Sequence, residues 1–125
     1  MKGIIVGILL LVSSGVFAAA PTCQLSSSGE AYCAYTGKVR QIYINSGGGI
    51  LFYFDTPFDK AIAESIGFTP SKTNAAYNLV STNPDFAKMF YSTALAAQAS
   101  KRNVTIQMRG TLSGYLKFDR IWLAE

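Results

Sequence analysis

Lys38, Arg40, Tyr43, Arg109, Lys117, Arg120 and Trp122 are the side chains from which this chain could build chemistry, basic groups set among aromatic rings. In single-stranded nucleic acid, cations meet phosphates and rings stack on bases. The same rings suit the flat faces of sugars, whose hydroxyls seek polar side chains. Catalysis is harder to assemble. The chain has no histidine, which excludes His-based triads, His general bases and His metal ligands. Asp55 and Asp59 are close in sequence but flank a turn, where they read as solvated carboxylates. Ser46-Gly47-Gly48-Gly49 is not a phosphate loop, because no Gly-Lys-Ser/Thr follows it. The expectation is a binding protein, not an enzyme, with no metal and no cofactor.

Cys23 and Cys33 are the only cysteines. An even pair in an exported protein reads as one disulfide, here closing a short hairpin or turn. Zinc would need a further Cys pair or histidines. Export is indicated by the first segment. Lys2 is followed by GIIVGILLLVSSGVFA, with Val16 and Ala18 at the −3 and −1 positions of a cleavage site. The run is short for a membrane span. Residues 1–18 are therefore expected to be a removed signal peptide, with no stable membrane anchor. A cut after Ala20 would place Pro21 beside it and is the less favoured alternative. Residues 19–125 then form a single domain, secreted or periplasmic. The formal net charge of +4 falls by one when Lys2 leaves. A mildly basic surface suits an anionic partner without requiring one. Half the residues are apolar, which excludes a disordered chain.

The element that must position these groups is PDFAKMFYSTALAAQASK, Pro84 to Lys101. Asn83 caps it, Pro84 suits the first helical position, and Asp85 places negative charge in the first turn. Phe86, Met89, Phe90, Thr93, Ala94 and Ala97 form one apolar stripe at helical spacing. Short β-rich runs flank this helix. Gly37 to Asn45 is a strand whose Val39, Ile42 and Ile44 share a face only if it bulges or bends near Arg40-Gln41. Ser46 to Gly49 is a hairpin turn, and Ile50 to Asp55 a strand with Ile50, Phe52 and Phe54 inward. Asp59 to Ile66 forms a short helical turn ended by Gly67. Ala75 to Val80 is a third strand. After the helix, Asn103 to Arg109 alternates with Val104, Ile106 and Met108 inward. Gly110 to Gly114 is a turn. Tyr115 to Ala124 is the last strand, and a bulge near Asp119-Arg120 keeps Ile121 and Leu123 on the face of Leu116 and Phe118. The order β-β-β-α-β-β, with bent first and last strands, is the plan of a small five-stranded OB-fold-like Greek-key barrel, mainly β with one helix.

Tyr35-Thr36-Gly37-Lys38-Val39, Phe90-Tyr91-Ser92-Thr93 and Asn103-Val104-Thr105-Ile106 carry a family resemblance. From about Tyr35 to Met108 the chain resembles the B subunits of subtilase cytotoxin and the related pertussis-like AB5 toxins. The resemblance implies an exported OB-fold, a homo-oligomer in the form of a pentameric ring, a sialylated glycan as ligand and an exported catalytic subunit as partner. Thr36 stands where that family has a hydroxyl residue holding the sialic acid carboxylate. Met108 stands near a position where the family uses a glycan-contacting tyrosine, and the family's later cysteines are missing. The candidate ligand-binding residues are Tyr35, Thr36, Arg40, Tyr43 and Arg109. The alternatives are an extracytoplasmic OB module for single-stranded nucleic acid and a stand-alone periplasmic structural or inhibitory protein.

Overall fold

The structure is a computed structural model that describes residues 19–124, together with Gly3 and Gly7. The expected signal peptide, residues 1–18, lies outside the described residues apart from those two glycines. The chain is mainly β. In order it forms β1 (Thr22–Leu25), β2 (Ala31–Gly37), β3 (Ile42–Ile44), β4 (Gly49–Tyr53), α1 (Lys60–Glu64), β5 (Ala75–Leu79), α2 (Pro84–Ser100), β6 (Val104–Leu112) and β7 (Tyr115–Leu123). A 3-10 turn, Val80–Thr82, leads into α2.

All seven strands belong to one sheet, in the order β1-β2-β6-β7-β5-β4-β3. The β5–β7 pair is parallel and the others are antiparallel. β2 and β3 are joined by residues 38–41, yet five inter-strand steps separate them in that order. Five steps of about 4.8 Å would set them ~24 Å apart in a flat sheet. The chain from Gly37 to Ile42 spans at most ~18 Å. The sheet therefore curls until its two sides meet at this link.

The expected long first strand is thus two segments. β2 lies earlier than expected and β3 is shorter, with residues 38–41 outside both. Val39 is buried and Ile42 packs against the core, so the bend falls where the apolar spacing requires it. Ile44 is largely exposed, contrary to the expected inward set. β1 and β2 form a hairpin in which Cys23 directly faces Cys33, bonded as a disulfide with Cα atoms 3.9 Å apart.

The last two strands carry two irregularities. Gln107 pairs with Arg120 and Met108 with Phe118, so Asp119 is the extra residue of a bulge. Beyond it Ile121 returns to the core side, although Leu123 at the strand end is partly exposed. The expected turn over residues 110–114 is smaller. β6 continues to Leu112, and Ser113 and Gly114, both at positive φ, make the reversal. Gly110, φ 71, falls in the second irregularity.

α2 closes the open side of the curl. Asn83 Oδ1 accepts the Phe86 N–H at 3.0 Å, and Lys101 ends the helix in the left-handed conformation. Its buried residues are Ala87, Phe90, Ala94 and Ala97. Met89 is 62% exposed, which removes it from the expected stripe; Ala87 takes the inner position. The two are about 160° apart around the helix at 3.6 residues per turn, and the sheet selects the face with the smaller side chain. Phe90 meets Phe52, Phe86 and Phe118. Tyr35, Phe52, Phe54 and Phe58 extend this aromatic core beneath β2 and β4. α1 is short, with Asp59 as its N-cap accepting from the Ala61 N–H.

Candidate ligand-binding face

Strand alternation decides which residues face out. On β2, β6 and β7 the inward set is Cys33, Tyr35, Val104, Ile106, Met108, Leu116 and Phe118, all fully buried. Their alternates build the outer face. Thr36 lies opposite Thr105, and Thr105 opposite Trp122, in one row across three strands. Ala34, Gln107 and Arg120 form the next row, and Thr22 of β1 extends it. With strands about 4.8 Å apart, each row spans ~10 Å from β2 to β7.

The chemistry along these rows is mixed. Trp122 is 43% exposed and offers an indole face and an N–H donor. The hydroxyls of Thr36 and Thr105 share a hydrogen bond of 2.8 Å. Thr105 is buried between its neighbours, so Thr36 is the hydroxyl that solvent reaches. Gln107 Oε1 accepts from Arg109 Nη2 at 2.9 Å, which leaves the Gln107 amide NH₂ to donate. Arg120 is exposed and appears in no ion pair among the described residues. Ala34 lowers the floor between Thr22 and Gln107. The result is an outer face with a ring at one corner, a hydroxyl at the other and a cation in the neighbouring row.

The five residues singled out from sequence fall in different places. Thr36 lies on this face. Arg109 lies at its border, held by three acceptors: Glu30 Oε1 at 3.0 Å, Asp119 Oδ1 at 2.9 Å and Gln107. Its guanidinium also lies over the Tyr32 ring, 5.3 Å from the centroid. With its donors engaged, Arg109 orients Gln107 instead of offering a free charge. Tyr35 faces the core and has no exposed surface; its hydroxyl donates to the Lys38 carbonyl at 2.9 Å. Burial, and after it the negative charge of Asp55, push the Tyr35 phenol well above its ordinary pKa. Arg40 stands at the β2–β3 link, paired through Nε with Asp55. Tyr43 is on the other half of the sheet, in a row that runs Tyr43, Leu51, Tyr77, Lys117. Tyr115 packs beside Tyr77, and Lys72 Nζ sits 4.6 Å from the Tyr115 centroid.

Trp122 and Arg120 belong to the basic and aromatic set read from the sequence but not to its five candidate ligand-binding residues, and Gln107 belongs to neither. Trp122 and Arg120 carried a signal, the alternation of β7 past its bulge. Gln107 carried none, because its partnership with Arg109 and its place beside Ala34 are matters of register.

Two clefts flank the helix. One of about 250 Å³ is lined by Lys38, Val39, Ala97, Gln98, Lys101 and Arg102. The other, about 150 Å³ and apolar, lies between Ile44, Ile50 and Val80 on one side and Ala87, Lys88 and Tyr91 on the other. Among the described residues no group of three or more His, Cys, Asp or Glu side chains gathers. No described helix is long and apolar enough to cross a membrane. Comparison with family models, with curated proteins and with solved structures finds nothing that matches this chain.

Proposed function

We propose that this chain is an exported binding protein without enzymatic activity, built on an OB-type barrel, which engages a glycan or a partner protein through the outer face of β2, β6 and β7. The strand order supports the barrel reading. If β2 and β3 are two halves of one bent strand, five strands remain, the helix stands between the third and fourth, and the third and fifth pair in parallel. The β1 hairpin is then an added edge. In an OB barrel the first strand must serve both the second and the fourth, which accounts for its sharp bend at residues 38–41.

The observation that carries the ligand reading is the row Thr36–Thr105–Trp122 beside Gln107 and Arg120. An exposed indole gives a sugar ring an apolar platform. The hydroxyl and amide meet sugar hydroxyls, and Arg120 supplies the charge that an acidic sugar such as a sialic acid requires. Single sites of this kind are weak, because a sugar buries little apolar area and must replace bound water. Assembly offsets that weakness through multivalency. Ile44 and Tyr91 are exposed apolar side chains lining the smaller cleft, and Leu95 of the same helix is exposed as well; they support a homo-oligomer, as in a pentameric ring. An exported catalytic subunit would be the partner such a ring carries.

A glycan array probed with the exported protein tests the ligand, and light scattering tests the assembly. Signal on acidic glycans that falls in Thr36→Ala and Trp122→Ala supports the face. Signal unchanged in both variants moves the site elsewhere, and a monomer at micromolar concentration removes the ring. A second reading rests on the row Tyr43, Leu51, Tyr77 and Lys117, with Tyr115 and Lys72 beside it: rings and cations suited to single-stranded nucleic acid. Binding to oligonucleotides that weakens steeply with salt would favour it.

A further inference from the structure

Asp55 is a carboxylate placed where water hardly reaches: its side chain is 8% exposed. Arg40, itself largely exposed, pairs through Nε with Oδ1, an atom that is buried and accepts no hydrogen bond among the described residues. Oδ2 accepts the backbone N–H of Ala19 at 3.3 Å. That is a long contact for an amide donor. An amide dipole also compensates a buried charge less well than a cation does.

Ala19 is otherwise built into the fold. Its carbonyl accepts the Thr56 N–H at 3.1 Å. Its methyl packs against the core so closely to Gly37 that a Cβ added there would lie 2.9 Å from it. Pro21, two residues on, is buried. The chain is therefore anchored from the first residue after the expected cleavage point, with the nitrogen of that residue aimed at a carboxylate.

We propose that Asp55 is the receptor for the α-ammonium group of Ala19, released when a signal peptidase hydrolyses the Ala18–Ala19 bond, so that the processed N-terminus is an ion-paired part of the fold. The inference rests on the export reading above. Hydrolysis consumes one water and leaves a carboxylate on Ala18 and an amine on Ala19, which is largely protonated below its ordinary pKa of about 8. The same nitrogen that donates one hydrogen as an amide then carries a positive charge and three donors. With Arg40 on the other oxygen, Asp55 is enclosed by two cations. A cut after Ala20 would remove the Ala19 nitrogen, carbonyl and methyl together and leave Asp55 with Arg40 as its one cation, beside the Tyr35 phenol. The fold therefore accommodates a chain that begins at Ala19 and loses these contacts in one that begins at Pro21.

The test uses the full chain expressed in an exporting host. N-terminal sequencing of the recovered protein should begin at Ala19. A start at Pro21 overturns the inference but leaves export intact; a chain that keeps its leader overturns the export reading and the inference with it. The second arm inserts one glycine between Ala18 and Ala19, in the natural chain and in Asp55→Asn. At pH 6 the natural protein should melt at least about 4 °C above its glycine-extended form, and the gap should vanish in Asp55→Asn. Should Asp55→Asn not fold, titration of the Ala19 amine decides: a carboxylate in contact should raise it by one unit or more. Equal melting of the two natural-sequence forms, a gap that survives Asp55→Asn, or an amine titrating near 8 overturns the proposal.

Discussion

The rings of Phe90 and Phe118 stack face to face, with centroids 4.0 Å apart and planes 10° from parallel. One belongs to α2 and the other to β7, and both are fully buried. This contact seats the helix on the sheet, with Phe86 against both rings. Phe90→Ala should cost ~3–5 kcal/mol, the usual loss for a buried Phe. Against a total stability of about 5–15 kcal/mol, that leaves a barely folded protein. Thermal melting checks it; a fall of only a degree or two would mean that the helix does not depend on this ring.

Reduction of Cys23–Cys33 should lower stability by ~2–3 kcal/mol, since the bond closes a short loop. The loss should be local at first. In the sheet β1 pairs with β2 alone, and its outer edge is unpaired. Hydrogen exchange in Thr22–Leu25 should accelerate on reduction while β6 stays protected. The intact mass without reductant should be two hydrogens below the reduced mass. Two free thiols in protein purified without reductant would contradict the bond.

Tyr35 should make stability fall in alkali. Its phenol is raised above the ordinary value near 10, first by burial and then by the charge of Asp55. The folded state therefore keeps its proton when the unfolded chain releases it. The stabilisation is complete below pH ~10 and shrinks as pH rises from there toward the folded value. Melting temperature followed from pH 8 to 11.5 should drop faster in the natural protein than in Tyr35→Phe, which has no proton to lose. Parallel curves would show that the phenol titrates normally.

If the outer face binds a glycan as proposed, Trp122→Ala should leave the fold in place and weaken that binding. The ring is exposed on an edge-facing row, so its removal costs no more than a cross-strand pair, ~0.2–1 kcal/mol. An aromatic that anchors a ligand is worth ~2 kcal/mol or more, about 30-fold in affinity. A melting curve beside a binding titration separates the two effects. A large loss of stability with affinity kept would make Trp122 a packing residue.

The boundaries of α2 were legible because capping and period are local: Asn83, Pro84 and the spacing of Phe90, Ala94 and Ala97 lie within one helix. The Asp119 bulge was legible for a similar reason. Leu116, Phe118 and Ile121 can share a face only if the strand carries an extra residue, and the extra residue is there. Met89 was misplaced because an apolar side chain at the margin of a helical stripe can turn either way; the position of β7 and the 3-10 turn decides. The β1–β2 hairpin was read only as a possible hairpin or turn. Its small and polar residues give little alternation, and what fixes it is pairing with β6, far along the chain.

The sequence by itself determined the strand and helix periods, the lone cysteine pair, the absence of histidine chemistry and the places where strands must bend. Each follows from neighbouring residues and the geometry of a single element. The tertiary structure alone decided which cations are spent and which are free. Arg109 meets Glu30 across 79 residues of chain, and Arg40 meets Asp55 only because β2 turns at its end. It also decided that Tyr35 is core while Trp122 is surface. Register between strands distant in sequence sets the facing of Tyr35 and Trp122, and a shift of one residue in either strand would turn its side chains to the other face.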